Sequence, residues 1–150
     1  MNRKFREERP DDKRLDFIEV HHRMERFQSK SGRRPRILLA DMNENVSGSV
    51  VTMMAVAYSD AGFDVDINPG NGSSNLIARA AVDNDVHAIC VTGLAAANSG
   101  LKKQLIAEMA DDVIIISDYG TFSEKQACTD RNLETFIARS VDTILCTLGV

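Results

Sequence analysis

The regular alternation of short apolar runs with helical patterns constrains this fold more than any other feature of the sequence. Five runs rich in Ile, Leu and Val fit buried strands of a sheet. The segments between them repeat apolar residues every three or four positions, as amphipathic helices do. The predicted strands are residues 36–40, 63–67, 86–91, 113–117 and 142–147. The predicted helices between them are residues 49–61, 73–83, 101–109 and 122–140.

Strands that alternate with helices form a parallel sheet covered on both faces, because each crossover places a helix on one face. Right-handed crossovers leave few topologies, and for an α/β chain with five such units we expect the flavodoxin-like order 2-1-3-4-5. A ligand crevice then lies where strands 1, 3 and 4 end, beside residues 41–49, 92–99 and 118–123. The sequence ends just after the predicted fifth strand, so we expect one face of the sheet to lack its closing helix.

A basic arm precedes the first strand. We expect it to form a region of its own at residues 1–35, followed by an α/β domain at residues 36–150. Residues 1–36 contain 12 Lys and Arg against 7 Asp and Glu, whereas residues 37–150 contain 6 against 15. The acidic residues of the arm are interleaved with the basic ones and interrupt any basic stripe. The sequence therefore does not favour nucleic-acid binding.

The arm itself shows a helical pattern. A helix is predicted at about residues 12–29, with Asp11 or Asp12 as its N-cap. Its apolar side is predicted to consist of residues at three- and four-residue spacings, namely Leu15, Ile18, His22, Met24 and Phe27.

The sequence also indicates the cellular compartment of the protein. No run approaches the ~20 apolar residues that span a bilayer, and the first residues lack the apolar core of a secretory signal. We therefore expect a cytoplasmic protein with no membrane contact.

The three cysteines, Cys90, Cys128 and Cys146, form no CxxC pair. We interpret them as reduced thiols, with Cys90 and Cys146 buried in strands.

The predicted crevice segments lack the side chains of common catalytic and cofactor sites. The segment after the first strand contains one glycine, Gly48, which is too few for a phosphate-binding loop. The histidines, His21, His22 and His87, lie outside these segments, so the sequence predicts neither a metal site nor a histidine base. Ser47 has no visible base to activate it as a nucleophile. No catalytic residue is therefore predicted.

Several stretches of the sequence are similar to a known family. They are Gly32 to Ala40, Met42, Ala55, Ala57-Tyr58, Asp60, Gly62 to Asp66, Asp85-Val86-His87 and Leu94-Ala95. Together they resemble the cobalamin-binding domain of methylmalonyl-CoA mutase and its acyl-CoA mutase relatives, over about residues 24–147. The resemblance implies a flavodoxin-like five-stranded sheet, in agreement with the periodicity.

In that family the loop after strand 1 contains Asp-x-His-x-x-Gly. The resemblance places the family's Asp on Asn45, its cobalt-ligating His on Ser47 and its Gly on Val50. A serine hydroxyl is a poor cobalt ligand compared with an imidazole. Asn45 lacks the charge that tunes such a ligand, and Val50 adds a side chain where the family has none. The crevice positions implied here are Asn45, Ser47, Gly48 and Val50.

Two further family motifs hold the displaced nucleotide tail of the cofactor. The Ser-x-Leu motif after strand 3 falls on Thr92-Gly93-Leu94, which is compatible with the tail slot. The Gly-Gly pair after strand 4 falls on Asp118-Tyr119, which places a charge and a large ring in that slot. Gly120 would supply half of the pair if the alignment shifted by one residue.

The resemblance and these departures from it imply a degenerate cobalamin-binding-type domain that is not catalytic alone. We expect a small subunit or regulatory partner of a mutase, or a homo-oligomer, that docks through the N-terminal helix and the uncovered sheet face. In this role it holds neither cofactor nor metal. A second hypothesis is a genuine cobalamin-binding subunit of an adenosylcobalamin-dependent mutase, an isomerase, without a protein ligand to cobalt. A third is that the crevice binds another small polar ligand.

Overall fold

The computed structural model describes residues 14–41, 49–69, 74–92, 101–109, 112–117 and 131–150. Its elements follow the chain in the order α1 (Phe17–Ser31), β1 (Arg36–Asp41), α2 (Ser49–Ala61), β2 (Asp64–Pro69), α3 (Ser74–Asp83), β3 (Ala88–Thr92), α4 (Leu101–Glu108), β4 (Ile114–Ser117) and α5 (Arg131–Thr147). From β1 to β4, the predicted strands and helices are confirmed in type and order, with bounds that shift by at most two residues.

The four described strands form one parallel sheet in the order β2-β1-β3-β4. On β1, Asp41 lies beside Pro69 of β2 and beside Thr92 of β3. On β3, Val91 lies beside Ser117 of β4. All four strands therefore end at one edge, the carboxyl edge, and begin at the opposite amino edge. The predicted α/β class with a flavodoxin-like parallel sheet is confirmed for these strands.

Helices cover both faces because successive strand residues point to opposite sides of the sheet. Ile37 and Leu39 of β1 join a core with α1, α2 and α5 on one face. Leu38 and Ala40 join a core with α3 and α4 on the other. All four side chains are at most 1% exposed. Burial of this kind stabilises each leucine-sized side chain by about 2 kcal/mol, and it requires the unbroken apolar run of a central strand.

The predicted fifth strand at residues 142–147 is wrong, because these residues continue helix α5. The buried apolar residues of this helix recur at helical spacing: Leu133, Ile137, Ala138, Val141, Ile144 and Leu145. They face the sheet together, whereas a strand would turn every second one away. Helix α5 thus supplies the closing helix that was expected to be missing. The predicted uncovered sheet face is also wrong, since α1, α2 and α5 pack on it.

Helix α1 begins later than predicted, and it buries Met24 and Phe27 as predicted but not the other two helical residues of the predicted apolar set. Asp16, rather than Asp11 or Asp12, is its N-cap, and the Asp16 carboxylate accepts the backbone N–H groups of Ile18 and of the next residue. Ile18 and His22, which were predicted to face inward, are exposed, and Ile18 is 74% accessible. Beside the predicted Met24 and Phe27, the buried residues of α1 are Val20 and Arg23.

An arginine joins α1 to α5. Arg23 is 7% exposed, and it donates to Asp142 Oδ1 at 2.9 Å and to the Val150 carbonyl oxygen at 3.0 Å. Its second terminal nitrogen lies 3.2 Å from Cys146 Sγ. Burial alone would lower the pKa of Arg23, but the bonds to Asp142 and Cys146 raise it above its ordinary value. The buried guanidinium therefore remains charged and holds the two helices together.

The structure can be compared with two further predictions, one about the cysteines and one about membrane-spanning segments. Cys90 is buried as predicted, but Cys146 is exposed, because it lies on the outer side of a helix and not in a strand. Cys128 lies outside the described residues. Within the described ranges, no helix is both long enough and apolar enough to cross a membrane.

Candidate functional site

The predicted ligand crevice would lie at the carboxyl edge of the sheet. Asp41, Thr92 and Ser117 are the last residues of β1, β3 and β4, and the strand register aligns them at this edge. Helix α2, which covers β1, begins at Ser49. The described backbone therefore brings to one edge the starting points of the three segments that the sequence predicts to line the crevice.

Most of the predicted crevice residues lie outside the described residues. They are Asn45, Ser47, Gly48, Gly93, Leu94, Asp118, Tyr119 and Gly120. The other two predicted positions are described. Val50 is the second residue of α2, and Thr92 is the last residue of β3.

Thr92 is a polar residue buried at the carboxyl edge, with 2% of its surface exposed. Strand alternation points its side chain to the same face as Cys90, toward the core that α2 and α5 share. Its neighbour in register on β1 is Asp41. Thr92 is therefore part of the buried interior at this edge, and a larger side chain there would disturb the packing.

All three histidines of the chain lie away from the carboxyl edge. His87 precedes β3, and its Nδ1 accepts the backbone N–H of Arg36, the first residue of β1, at 3.0 Å. It therefore lies at the amino edge, roughly 17 Å from the carboxyl edge for strands of this length. His21 Nε2 lies 3.0 Å from the carbonyl oxygen of Asp60, near the C-terminus of α2. His22 is exposed on the same helix as His21.

His87 belongs to a polar cluster at the amino edge that the sequence interpretation missed. Arg33 Nη2 lies 3.2 Å from His87 Nε2 and 3.1 Å from the Asp85 carboxylate. The Phe27 ring packs edge-on against the imidazole, with centroids 5.1 Å apart. Burial, and then the Arg33 charge, lower the pKa of His87, which favours the neutral ring that can accept from Arg36. One sign of this amino-edge cluster was present in the sequence, because most of its residues lie in the stretches that carry the family resemblance.

The predicted crevice segments contain no histidine that could hold the cobalt of a corrinoid. His21 and His87 bond elsewhere, and His22 is exposed on α1. Cys90, two positions before the end of β3, is fully buried in the core. In the part of the chain that the structure describes, no group of three His, Cys, Asp or Glu side chains could hold a metal ion.

The chain is similar in sequence to part of several curated proteins. It is 40% identical over 94 residues to the methylmalonyl-CoA mutase large subunit of Porphyromonas gingivalis, which covers 63% of this chain and 13% of that protein. It is 36% identical over 106 residues to the methylmalonyl-CoA mutase of Escherichia coli, with 68% and 15% covered. It is 37% identical over 105 residues to the mitochondrial methylmalonyl-CoA mutase of Bos taurus, with 70% and 14% covered. No protein-family profile matches the chain.

These similarities concern one segment of much longer proteins. The chain spans only 13–15% of the length of the three relatives. The resemblance predicted from the sequence is nevertheless confirmed, because identity of 36–40% extends over 63–70% of the chain. The chain is thus homologous to a segment of the methylmalonyl-CoA mutases, which is consistent with a B12-binding domain of that family.

Proposed function

We propose that this chain is a cobalamin-domain-like protein that does not hold cobalt through a protein side chain, and that it serves as a non-catalytic subunit or interaction partner of a mutase-type enzyme. The observation that carries the proposal is the placement of the histidines. The family ligates cobalt with an imidazole after strand 1, and Ser47 occupies that position here. The three histidines of the chain lie on α1 and at the amino edge, where none can replace it.

The departures from the family motif after β1 also disfavour cobalamin binding through a protein ligand. Ser47 offers a neutral hydroxyl, which binds cobalt weakly compared with imidazole. Asn45 cannot supply the carboxylate that orients and tunes a histidine ligand. Val50 places a branched side chain in the first turn of α2, where the family has glycine and the corrin approaches closely. Loss of the ligand and loss of space together support a protein that retains the fold without the cofactor.

The segment after β4 supports the same conclusion. The family leaves space there for the nucleotide tail with two glycines, whereas Asp118 and Tyr119 follow Ser117 in this chain. A carboxylate and a phenol ring disfavour an aromatic tail in the same volume, because one is charged and the other is bulky.

A partner is part of the proposal because the resembled family binds its substrate in a barrel domain that is separate from its cobalamin-binding domain. We propose that the partner docks on the N-terminal end of α1. Phe17 and Ile18 are 44% and 74% exposed there, and adjacent exposed apolar side chains are typical of interaction surfaces.

The alternative is a genuine cobalamin-binding subunit of a mutase. Its support is the identity to methylmalonyl-CoA mutases and the Thr92-Gly93-Leu94 run, which is compatible with the tail slot. In that case the lower ligand of cobalt would be water or the cofactor's own base.

A titration of the full chain with hydroxocobalamin separates the two hypotheses. The proposal predicts no saturable change in the cobalamin spectrum and no co-elution on gel filtration, whereas the alternative predicts both.

The partner is tested with a tagged chain and the separately produced substrate-binding portion of a methylmalonyl-CoA mutase. Replacing Phe17 and Ile18 by serine should weaken co-purification. The matched control is Ile106→Ser, which alters an apolar residue of α4 that is 57% exposed. Equal loss in both variants, or no co-purification at all, would contradict the proposed docking surface.

A further inference from the structure

Among the residues that the structure describes, strand β4 is paired on one side only, and the other is called its open side. Its only strand neighbour among these residues is β3, and Ile114 N–H donates to the His87 carbonyl oxygen at 3.0 Å. Alternate residues of a strand direct their backbone groups to the same side. Ile114 and Ile116 therefore bond toward β3, and the N–H and C=O of Ile115 point to the open side. This side is where a five-stranded sheet of this topology would place its last strand, and the residues expected to form that strand belong to α5.

The side chains of β4 show the same incomplete packing. Ile114 and Ile116 contact the core on one face and Ile115 contacts the core on the other, yet all three are only half-buried. The corresponding residues of β3 are at most 1% exposed. An added strand on the open side would shield both faces of β4 from water.

The two outer strands of the described sheet differ in their protection against pairing. On β2, Asp64 and Pro69 supply a carboxylate and a proline, which are typical guards of an exposed edge, while the Asp66 carboxylate pairs with Arg36 of β1. The sequence of β4 is Ile-Ile-Ile-Ser, with neither charge nor proline. Only the β4 edge is therefore chemically suited to receive another strand.

We propose that the β4 edge pairs with the β4 edge of a second copy of this chain, in antiparallel orientation about a two-fold axis at Ile115. In this register Ile115 lies opposite its own counterpart, and each donates its outward N–H to the other's carbonyl oxygen. Ile114 then lies opposite Ile116 of the second copy, so uncharged β-branched side chains meet on both faces. The result is one continuous sheet of eight strands from two chains. The inference is independent of the cofactor question.

A second copy fits this edge because the edge is self-complementary. A two-fold interface requires one patch to match itself. The three isoleucines are symmetric about Ile115. The sequence has an aspartate at both 112 and 118, the positions that this register pairs just outside β4, so like charges oppose the pairing at each end and the dimer should be stronger at higher ionic strength.

Analytical ultracentrifugation of the full chain over a wide concentration range tests the proposal. The mass should rise from the 16.5 kDa of one chain to twice that value. Ile115→Pro should abolish the dimer, because it removes the outward N–H without removing a β3–β4 bond. The matched control is Ile67→Pro on β2. Asp64 N–H bonds toward β1, so the N–H of Ile67 also points outward, and this variant should dimerise normally.

Hydrogen exchange of the unmodified protein keeps the test decisive even if a proline variant fails to fold. The Ile115 amide should exchange more slowly as the protein concentration rises, while the outward amides of Val65 and Ile67 should not change. A single-chain mass at every concentration overturns the proposal. So does a dimer in which exchange at Ile115 is independent of concentration.

Discussion

Replacing Gly62 by alanine should destabilise the fold through a clash between α1 and the end of α2. Gly62 has φ of +115°, and its N–H donates to the Ser59 carbonyl oxygen at 3.0 Å, while Phe63 N–H reaches back to the Tyr58 carbonyl oxygen. This bonding pattern ends a helix and favours glycine. A Cβ added at Gly62 would lie 2.9 Å from Met24 Cγ. The chain therefore needs glycine here for its backbone and also for the space that α1 occupies.

The expected loss of unfolding free energy has one part from backbone strain and one from the contact with Met24. Comparison with Gly32, the C-cap of α1, separates the two. Gly32 has φ of +80° and nothing within 4 Å of an added Cβ, so Gly32→Ala carries backbone strain alone, about 1–2 kcal/mol. Gly62→Ala carries similar strain and also forces Met24 aside, which adds about 1–3 kcal/mol. We therefore expect it to lose about 2–5 kcal/mol of the free energy of unfolding, clearly more than Gly32→Ala.

Urea unfolding monitored by circular dichroism measures both values. A third variant, Met24→Ala, should cost about 2–5 kcal/mol by itself, because Met24 is buried. Combined with Gly62→Ala it should cost less than the sum of the two, because the clash is gone and the new methyl group fills part of the cavity. Equal losses for Gly62→Ala and Gly32→Ala, or strict additivity in the double variant, would refute the proposed contact between α1 and the turn.

Two further predictions concern Arg23 and His87. Arg23→Met should lose about 2–4 kcal/mol in urea unfolding, because it removes a largely buried cation from Asp142. Arg26→Met, which alters an exposed side chain, should stay within about 0.5 kcal/mol of wild type; similar losses in both variants would contradict the Arg23 prediction. The folded-state pKa of His87 lies below the ordinary value of 6.5, so the folded state binds fewer protons there. This group should leave the free energy of unfolding unchanged above about pH 6.5 and lower it as the pH falls below that value. Unfolding measured across this range should show a shallower acid slope in His87→Gln, and an unchanged slope would contradict the assignment.

The central sheet could be predicted from the sequence because its signals are local. The apolar runs of β1 and β3 are unbroken, as doubly covered strands require. Gly62 marks the end of α2, and the spacing of turns leaves room for one helix between strands. The third strand was predicted to end at Val91, and it ends one residue later, at Thr92.

The C-terminal helix could not be predicted in the same way, because two local signals conflict. Thr143, Ile144 and Cys146 have side chains typical of strands, which favoured a fifth strand at 142–147. The deciding pattern is the buried series from Leu133 to Leu145, and it crosses the point where a break was predicted. A helical period is visible only when the window spans both parts.

The burial of Arg23 had no local signal at all. Arginine in a charged helix is ordinarily exposed. Its partners Asp142 and Val150 are more than a hundred residues away along the chain. The arrangement of the site segments likewise depends on strand order, whereas the chemistry expected of them rests on the residue types at positions 45, 47 and 50.

Cobalamin affinity across a restoration series tests the central claim most directly. The series comprises wild type, the triple variant Asn45→Asp/Ser47→His/Val50→Gly, the double variant Asp118→Gly/Tyr119→Gly, and the combined variant. Circular dichroism establishes that each is folded, and equilibrium dialysis with hydroxocobalamin measures binding. We expect no saturable binding by wild type and saturable binding by the combined variant. With isotope-labelled histidine, the electron paramagnetic resonance spectrum of its reduced cobalt form should show coupling to the histidine nitrogen. Wild-type binding as tight as that of the combined variant would contradict the claim that this chain has lost the cofactor.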